Sequence, residues 1–397
     1  MRVSTNMIYD RGVATMQRQT AELLRTQQQV SSGRRILTPA DDPIGAARAL
    51  ETTQAQSINK QFVTNKGYAE DNLKLLESRL TGVGEVLQYF RERTVQAGNA
   101  SLSPTELGFI ATDLRAQYDA LVALANSRDA NNDYLFAGYK AQTLPFQGGF
   151  GAIDYVGDEG TRTIQVSSSR FMPVSFSGSD VFQRTRVPDE SAITVSPASA
   201  NTGSAALTPG ANSAPDVPGA RYIVEWSGGA YTAVRREPGV PDVPVVVTPV
   251  GAPPTSIEIE GMNFSVSGAP DDGDRFEVFA ASTDMFANLA MLIDAIERPG
   301  PVSVTAGAVA FGLTSLDAAL DNTLRVRAQI GSQLVELDSL RSVAEDLDVQ
   351  YAQTLSRLQD VDFAEAISRL TRQQTFLEAA QASFVRVTGL SLFNFIN

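Results

Sequence analysis

IYDRGVATMQRQTAELLRTQQQV, residues 8–30, sets Tyr9, Val13, Met16, Thr20, Leu23, Gln27 and Val30 at alternating spacings of four and three. The spacing predicts a helix with one stripe that a second helix must cover. A matching stretch lies at the far end of the chain. There Leu337, Leu340, Ala344, Leu347, Tyr351, Thr354, Leu358 and Val361 repeat the pattern. Ends matched in pattern but far apart in sequence predict an assembly whose first and last segments meet. The pattern is that of a building part rather than a catalyst.

Directly after the first helix, SSGRRILTPADDPIGAARALE (31–51) breaks and restarts the chain. Gly33 accepts the left-handed conformation at a helix C-terminus, and Pro39 discourages continuation. Asp42 before Pro43 predicts a restart, with Asp42 capping the free amides, Pro43 in the first turn and Asp41 adding favourable charge. From Ile44 to about Ala97 the reading is one long helix, about 80 Å if unbroken. Its first half is polar and holds Gly67. In the second half Leu73, Leu76, Leu80, Val83, Leu87, Phe90 and Thr94 form a clear stripe. Gly98 and Asn99 end it. Ser103, Pro104 and Glu106 predict a capping box opening a third helix, with Leu107, Ile110, Leu114, Gln117, Leu121 and Leu124 on one face.

Beyond Ser127 the character changes. Asn131, Asn132 and Asp133 predict a turn, Tyr134–Phe136 an extended piece, and Gly138 another turn. Strands are predicted over Thr163–Ser167, Tyr222–Ser227, Val243–Thr248, Ser256–Ile259, Asn263–Ser267 and Arg275–Phe279. The Ser/Ala/Pro/Gly-rich stretch AITVSPASANTGSAALTPGANSAPDVPG (192–219) reads as long loops. Helices resume near Thr283 with Met285, Leu289, Leu292, Ile293 and Ile296. A further helix from about Phe311 to the 340s carries Leu313, Leu316, Leu320, Leu324, Arg327, Ile330 and Leu334, and a last one runs to about Thr388. The fold class is α+β: an elongated coiled-coil-like rod of long helices from both termini, with an inserted β-rich outer domain.

Composition narrows the function. Thirty-two basic against 45 acidic residues give a net charge of −13 over 397 residues, and no compact basic patch with aromatics offsets it. Nucleic-acid binding is disfavoured. The chain has no Cys and no His, which excludes thiol nucleophiles, disulfides, imidazole bases and the usual zinc ligand sets. The opening MRVSTNMIYDRGVATMQ has no apolar core of a secretory signal, and no apolar run is long enough to span a bilayer.

Candidate chemistry is sparse. Asp41 and Asp42 are explained by capping. Asp271, Asp272, Gly273 and Asp274 resemble part of a calcium loop, but the remaining ligands are missing, and Asp-Gly feeding a strand explains them. Asp360, Asp362 and Glu365 with Arg357 and Arg369 read as surface pairs at helical spacing. Trp226, the sole tryptophan, reads as a strand packing residue and is otherwise a surface-binding candidate. Gly148, Gly149 and Gly151 lack the Lys-Ser/Thr of a phosphate loop. Catalytic, cofactor and metal residues are therefore assigned to none. The tail is more informative: Phe376, Leu377, Phe384, Val385 and Val387 lead through Gly389 to Leu390, Leu392, Phe393, Phe395 and Ile396. That uncharged aromatic end needs burial against like subunits or shielding by a partner. No Lys or Arg follows Arg386, so a membrane-surface helix is disfavoured.

The opening segment, the break SSGRRILTPADDPIGAARAL, YLFAGYKAQTLPF (134–146) and DVDFAEAISRLTRQQTFLEAAQASFVRVTGLSLFNFIN (360–397) together resemble the flagellin-like axial proteins, and among them the adaptors between hook and filament. The resemblance covers about 1–140 and 285–397. It implies an inner helical region of 1–32 and 366–397, a helical rod of 33–140 and 281–365, and a solvent-facing β-rich domain over 141–280. It also implies no catalysis, and export unfolded through the flagellar export apparatus without a cleaved signal. Assembly outside the cell follows at the hook–filament junction. The implied partners are like subunits in a ring or layer, hook-associated protein 1, flagellin, and a cytoplasmic chaperone shielding the C-terminal helix. Two other readings stay open: a flagellin subunit of the filament, and a surface binding module carried by the β-rich domain.

Overall fold

The computed structural model describes residues 5–185, 192–210, 214–251, 255–299 and 306–393. Three helices open the chain: α1 (Thr5–Ser32), α2 (Pro43–Ala97) and α3 (Pro104–Ala125). Then come β1 (Phe146–Gly149), β2 (Ala152–Tyr155), β3 (Thr163–Gln165), β4 (Phe171–Pro173) and a π-helical turn at Ser179–Gln183. The strands continue as β5 (Ile193–Pro197), β6 (Ala206–Pro209), β7 (Arg221–Ser227), β8 (Ala230–Arg236), β9 (Val243–Val245), β10 (Val247–Val250), β11 (Ser256–Ile259), β12 (Met262–Ser267) and β13 (Arg275–Ala280). Helices α4 (Met285–Glu297), α5 (Ala306–Gln359) and α6 (Phe363–Phe393) close the chain. Two compact units result, residues 1–64 with 340–397 and residues 65–339. The α+β class and the terminal helices around a β-rich middle agree with the sequence reading.

Helix starts follow the predicted chemistry. Asp42 Oδ1 accepts from the Gly45 amide at 2.8 Å, ahead of Pro43. Ser103 and Glu106 form the reciprocal capping box of α3. Asp284, which the sequence reading passed over, caps α4 by accepting from Phe286 and Ala287. Burial pushes its carboxyl above the ordinary aspartate value, while the Gln183 amide at 2.8 Å opposes that shift. An Asp42→Ala variant is expected to weaken the start of α2 by about 1 kcal/mol. Hydrogen exchange at Gly45 should then show about fivefold less protection, with Asp42→Asn close to native.

In residues 65–339 the long α2 stripe is buried as expected, with Leu73, Leu76, Leu80, Val83, Leu87, Phe90 and Thr94 all fully covered. Opposite it α3 buries Tyr118 rather than Gln117: both positions fit the spacing from Leu114 to Leu121, and the aromatic ring takes the covered one. Helix α5 departs from the reading more. It is one 54-residue helix, and its inward stripe runs through Phe311, Leu316, Thr323, Val326 and Ile330, whereas Leu324 is exposed. At about 100° per residue, the two successive four-residue steps from Leu316 carry Leu324 about 80° around the helix and off the buried face, to which Ile330 returns.

The β-rich part holds two larger antiparallel sheets, β10-β11-β12-β6 and β5-β13-β7-β8-β9, and two hairpins, β1-β2 and β3-β4. Their inward residues Tyr222, Val224, Tyr231, Ile257, Phe264 and Val278 share one core. Several expectations are corrected here. Val243–Thr248 is not one strand: β9 edges the five-stranded sheet and β10 the four-stranded one, with Val246 exposed between them. The stretch read as long loops supplies β5 and β6, since ladder partners on β13 and β12 override weak local propensity. Strand β8 was missed although Gly228-Gly229, both left-handed, announces a two-residue hairpin turn. Strands β1, β2 and β4 were missed as well. Tyr134–Phe136 is buried but forms only a bridge from Tyr134 to Arg128.

Candidate assembly interface

The unit of residues 1–64 and 340–397 is made by pairing the first and last helices. On α1 the inward positions are Gly12, Val13, Met16, Gln19, Leu23, Thr26 and Val30. Thr20 and Gln27, expected on that stripe, are exposed: each follows a four-residue step that carries it about 40° past a full turn, and the Thr20 hydroxyl donates to the Met16 carbonyl at 2.9 Å. On α6 the inward positions include Ala366, Gln373, Leu377 and Phe384. Tyr9 and Phe384 meet with ring centroids 5.2 Å apart. Gly12 permits that approach: a Cβ there would lie 2.8 Å from the Phe384 ring.

A polar lock joins the two helix breaks. Gly33 is left-handed at φ +69°, and its carbonyl accepts from Val361 at 2.9 Å. Arg34 and Asp360 form a backbone bridge, the Arg35 amide donates to Gln359 O, and its guanidinium donates to Leu358 O at 2.8 Å. Asp41 organises the turn rather than merely adding charge. Its carboxylate accepts from Leu37 and Thr38, each at 2.9 Å, and receives Arg25 from α1. Beyond the lock, Asn59 donates to Ala344 O and Gln56 to Asp348, so polar side chains tie the weakly apolar start of α2 to α5.

The amide of Thr38, then that of Leu37 and the Arg25 charge, hold the Asp41 carboxyl below the ordinary aspartate range. A depressed carboxylate stabilises above its unfolded pKa, and that contribution is lost as pH falls through the folded value. Hydrogen-exchange protection at Leu37 and Thr38 is therefore expected to persist through the ordinary aspartate range, about pH 3.9, and to fall only at lower pH. An Asp41→Asn variant should lack this pH dependence.

The same unit leaves many large apolar side chains uncovered. Ile44 is 69% exposed, Leu50 71%, Phe376 62% and Val385 68%. An exposed apolar surface of this kind marks an interaction site. Of the predicted tail, Phe376 and Val385 belong to this surface, whereas the side chains of Val387, Leu390, Leu392 and Phe393, and the whole of Phe395 and Ile396, lie outside the described residues.

The candidate chemical groups have structural places. Asp274 accepts from Thr202, Gly203 and Asp271, and Asp272 from Gly228, so the acidic run is a turn feeding β13. The Asp271 amide, with those of Gly203 and Thr202, lowers the Asp274 carboxyl. Glu365 pairs with Arg369 at 2.7 Å, and Asp362 caps α6 at Ala364 and Glu365. The expected Arg357–Asp360 pair does not form: Arg357 turns back to the Gln353 carbonyl, and Asp360 is engaged through its backbone. Trp226 is half-buried in β7 with Tyr231 edge-on at 4.7 Å. Gly148 and Gly149 lie in the β1–β2 hairpin, with Gly151 at its turn. Among the described residues no group of three carboxylates is placed to hold a metal ion, and no helix is long and apolar enough to cross a membrane.

Sequence reasoning missed one cluster. Arg221 on β7 is 1% exposed and donates to Glu277 at 2.9 Å and Asp294 at 3.0 Å, with Arg298 also held by Asp294. No local pattern joins residues so far apart.

Comparison with known proteins adds the family context. The profile of the bacterial flagellin N-terminal helical region matches residues 3–141, and that of the C-terminal helical region matches 313–396. The chain is 30% identical over 393 residues to flagellar hook-associated protein 3 of Salmonella typhimurium, covering 99% of both chains. It is 30% identical over 398 residues to the protein of that name in Escherichia coli, again covering 99% of both. Among solved structures, FlgL of Xanthomonas campestris superposes with a TM-score of 0.55 at 27% identity, over 77% of this chain and 99% of that one. A flagellar hook-associated protein-3 from Legionella pneumophila gives 0.56 at 25% identity, over 77% and 98%.

Proposed function

This chain belongs to the flagellar hook-associated protein 3 family, and we propose that it is the structural adaptor joining the hook-associated zone to the flagellin filament. Likeness over the full length, outer region included, supports that reading above a bulk flagellin, whose helical regions alone would match. The observation that carries it is the pairing of α1 with α6 beside an uncovered apolar surface, which suits a part completed by its neighbours. Its partners are like subunits in a ring or layer, hook-associated protein 1 on one side and flagellin on the other. A cytoplasmic chaperone shields the C-terminal helix before export through the flagellar apparatus. Residues 1–32 with 366–397 form the inner assembly region, 33–140 with 281–365 the surrounding helical region, and 141–280 the displayed domain. No catalytic role is assigned.

The test is a gold-labelled antibody against residues 141–280, applied to intact flagella and viewed by electron microscopy. A single cluster where hook meets filament is the expected result. Label along the whole filament would make the chain a flagellin and overturn the adaptor reading.

A further inference from the structure

Charge is divided unevenly between the two units. Residues 1–64 and 340–397 hold 13 basic and 12 acidic side chains, whereas residues 65–339 hold 19 basic and 33 acidic. The excess negative charge of the chain therefore lies in one unit. Copies packed in a layer would repel through it unless basic surface were set against it.

Helix α1 carries such a surface. Arg11, Arg18 and Arg25 follow at seven-residue spacing and are all exposed, on the side away from Met16 and Leu23. Arg25 is taken by Asp41. Arg18 reaches only the Ala14 carbonyl and the Thr15 hydroxyl of its own helix. Neither Arg11 nor Arg18 has a carboxylate partner among the described residues, although Asp10 and Glu22 lie on the same helix. On α2, Asp71, Ser78, Glu85 and Glu92 follow at the same seven-residue spacing, all exposed and opposite the buried Leu73–Phe90 stripe. Lys74, the base on that face, is tied to Glu70 at 2.7 Å. Glu85 and Glu92 have no basic partner among the described residues. Seven residues rise about 10.5 Å on either helix, so two opposite-charge pairs can close together when the helices lie side by side.

We propose that the Arg11–Arg18 ridge of one copy docks along the Glu85–Glu92 ridge of a second copy of this chain. The proposal rests on the reading of the chain as a self-assembling junction part and names one contact that holds the layer. Matched spacing makes the contact specific in register: a slip of one helical turn separates both pairs at once.

The experiment is complementation of a strain lacking this protein with full-length variants, reading secreted protein in the medium and immunogold label at the junction. Arg11→Glu with Arg18→Glu, and Glu85→Arg with Glu92→Arg, are each expected to be exported at the native level. Each should lower junction label about tenfold, as like charges are brought together. The chain carrying all four reversals should recover to within about twofold of native, because the pairs are restored with opposite sense. Native label in either two-site variant, or no recovery in the four-site variant, would overturn the contact. Circular dichroism of the secreted variants separates lost assembly from lost helix. Failure of the native chain to label the junction would instead strike the adaptor reading itself.

Discussion

Phe384→Asp is expected to abolish incorporation at the junction while leaving residues 65–339 folded. The ring stands against Tyr9 and directly over Gly12, where α1 has no side chain to interpose. A carboxylate there removes the aromatic contact and sets an unpaired charge in a half-apolar seam, a change on the order of 3 kcal/mol. That is enough to part a two-helix contact with few alternatives. The variant should be exported, should keep native Trp226 fluorescence because that residue belongs to the other unit, and should give no gold label at the junction. Gly12→Val tests the same seam from the opposite side, since its Cβ would collide with the ring. Pairing Gly12→Val with Phe384→Leu should recover part of the label, because the smaller side chain vacates that space. Normal incorporation of Phe384→Asp would show that the α1–α6 seam does not carry assembly.

What could be read from the sequence divides by range. The α2 stripe from Leu73 to Phe90 was legible because every member lies within one helix and each faces the same core. The Asp42-Pro43 and Ser103-Pro104 starts were legible because capping chemistry is local. Long helices strained the reading at the edges of the stripe: four-residue steps overshoot a full turn by about 40°, which left Thr20 and Gln27 exposed on α1 and Leu324 on α5. The β-rich part was least legible. Its strands are short and rich in Pro and Gly, and pairing partners as distant as β6 with β12 or β5 with β13 decide whether a segment is strand or loop. For the interface, the exposed apolar ends were visible in the sequence. The Gly12–Phe384 contact was not, because a glycine opposite an aromatic gives no periodic signal.

Arg221→Ala is expected to cost about 3–5 kcal/mol in the β-rich part, the largest single-site effect among the described polar residues. The guanidinium bridges β7 to β13 through Glu277 and to α4 through Asp294, and its burial pushes it below the ordinary arginine value while both carboxylates push back. Removing it takes away the buried positive charge that both carboxylates share. Asp294 keeps Arg298 at its rim. The cost comes from leaving buried carboxylate charge without the Arg221 cation, more than from the attraction lost. A combined Arg221→Met, Glu277→Leu and Asp294→Leu variant should then lie within about 1 kcal/mol of native, since it removes desolvation and attraction together. Urea unfolding followed by Trp226, on the same strand as Arg221, reads both variants directly. If the triple variant is as unstable as Arg221→Ala, the cluster supplies net attraction that apolar packing cannot match. If it is native-like, the cluster serves to fix which strand face meets α4, and the strength of that contact lies in the apolar residues around it.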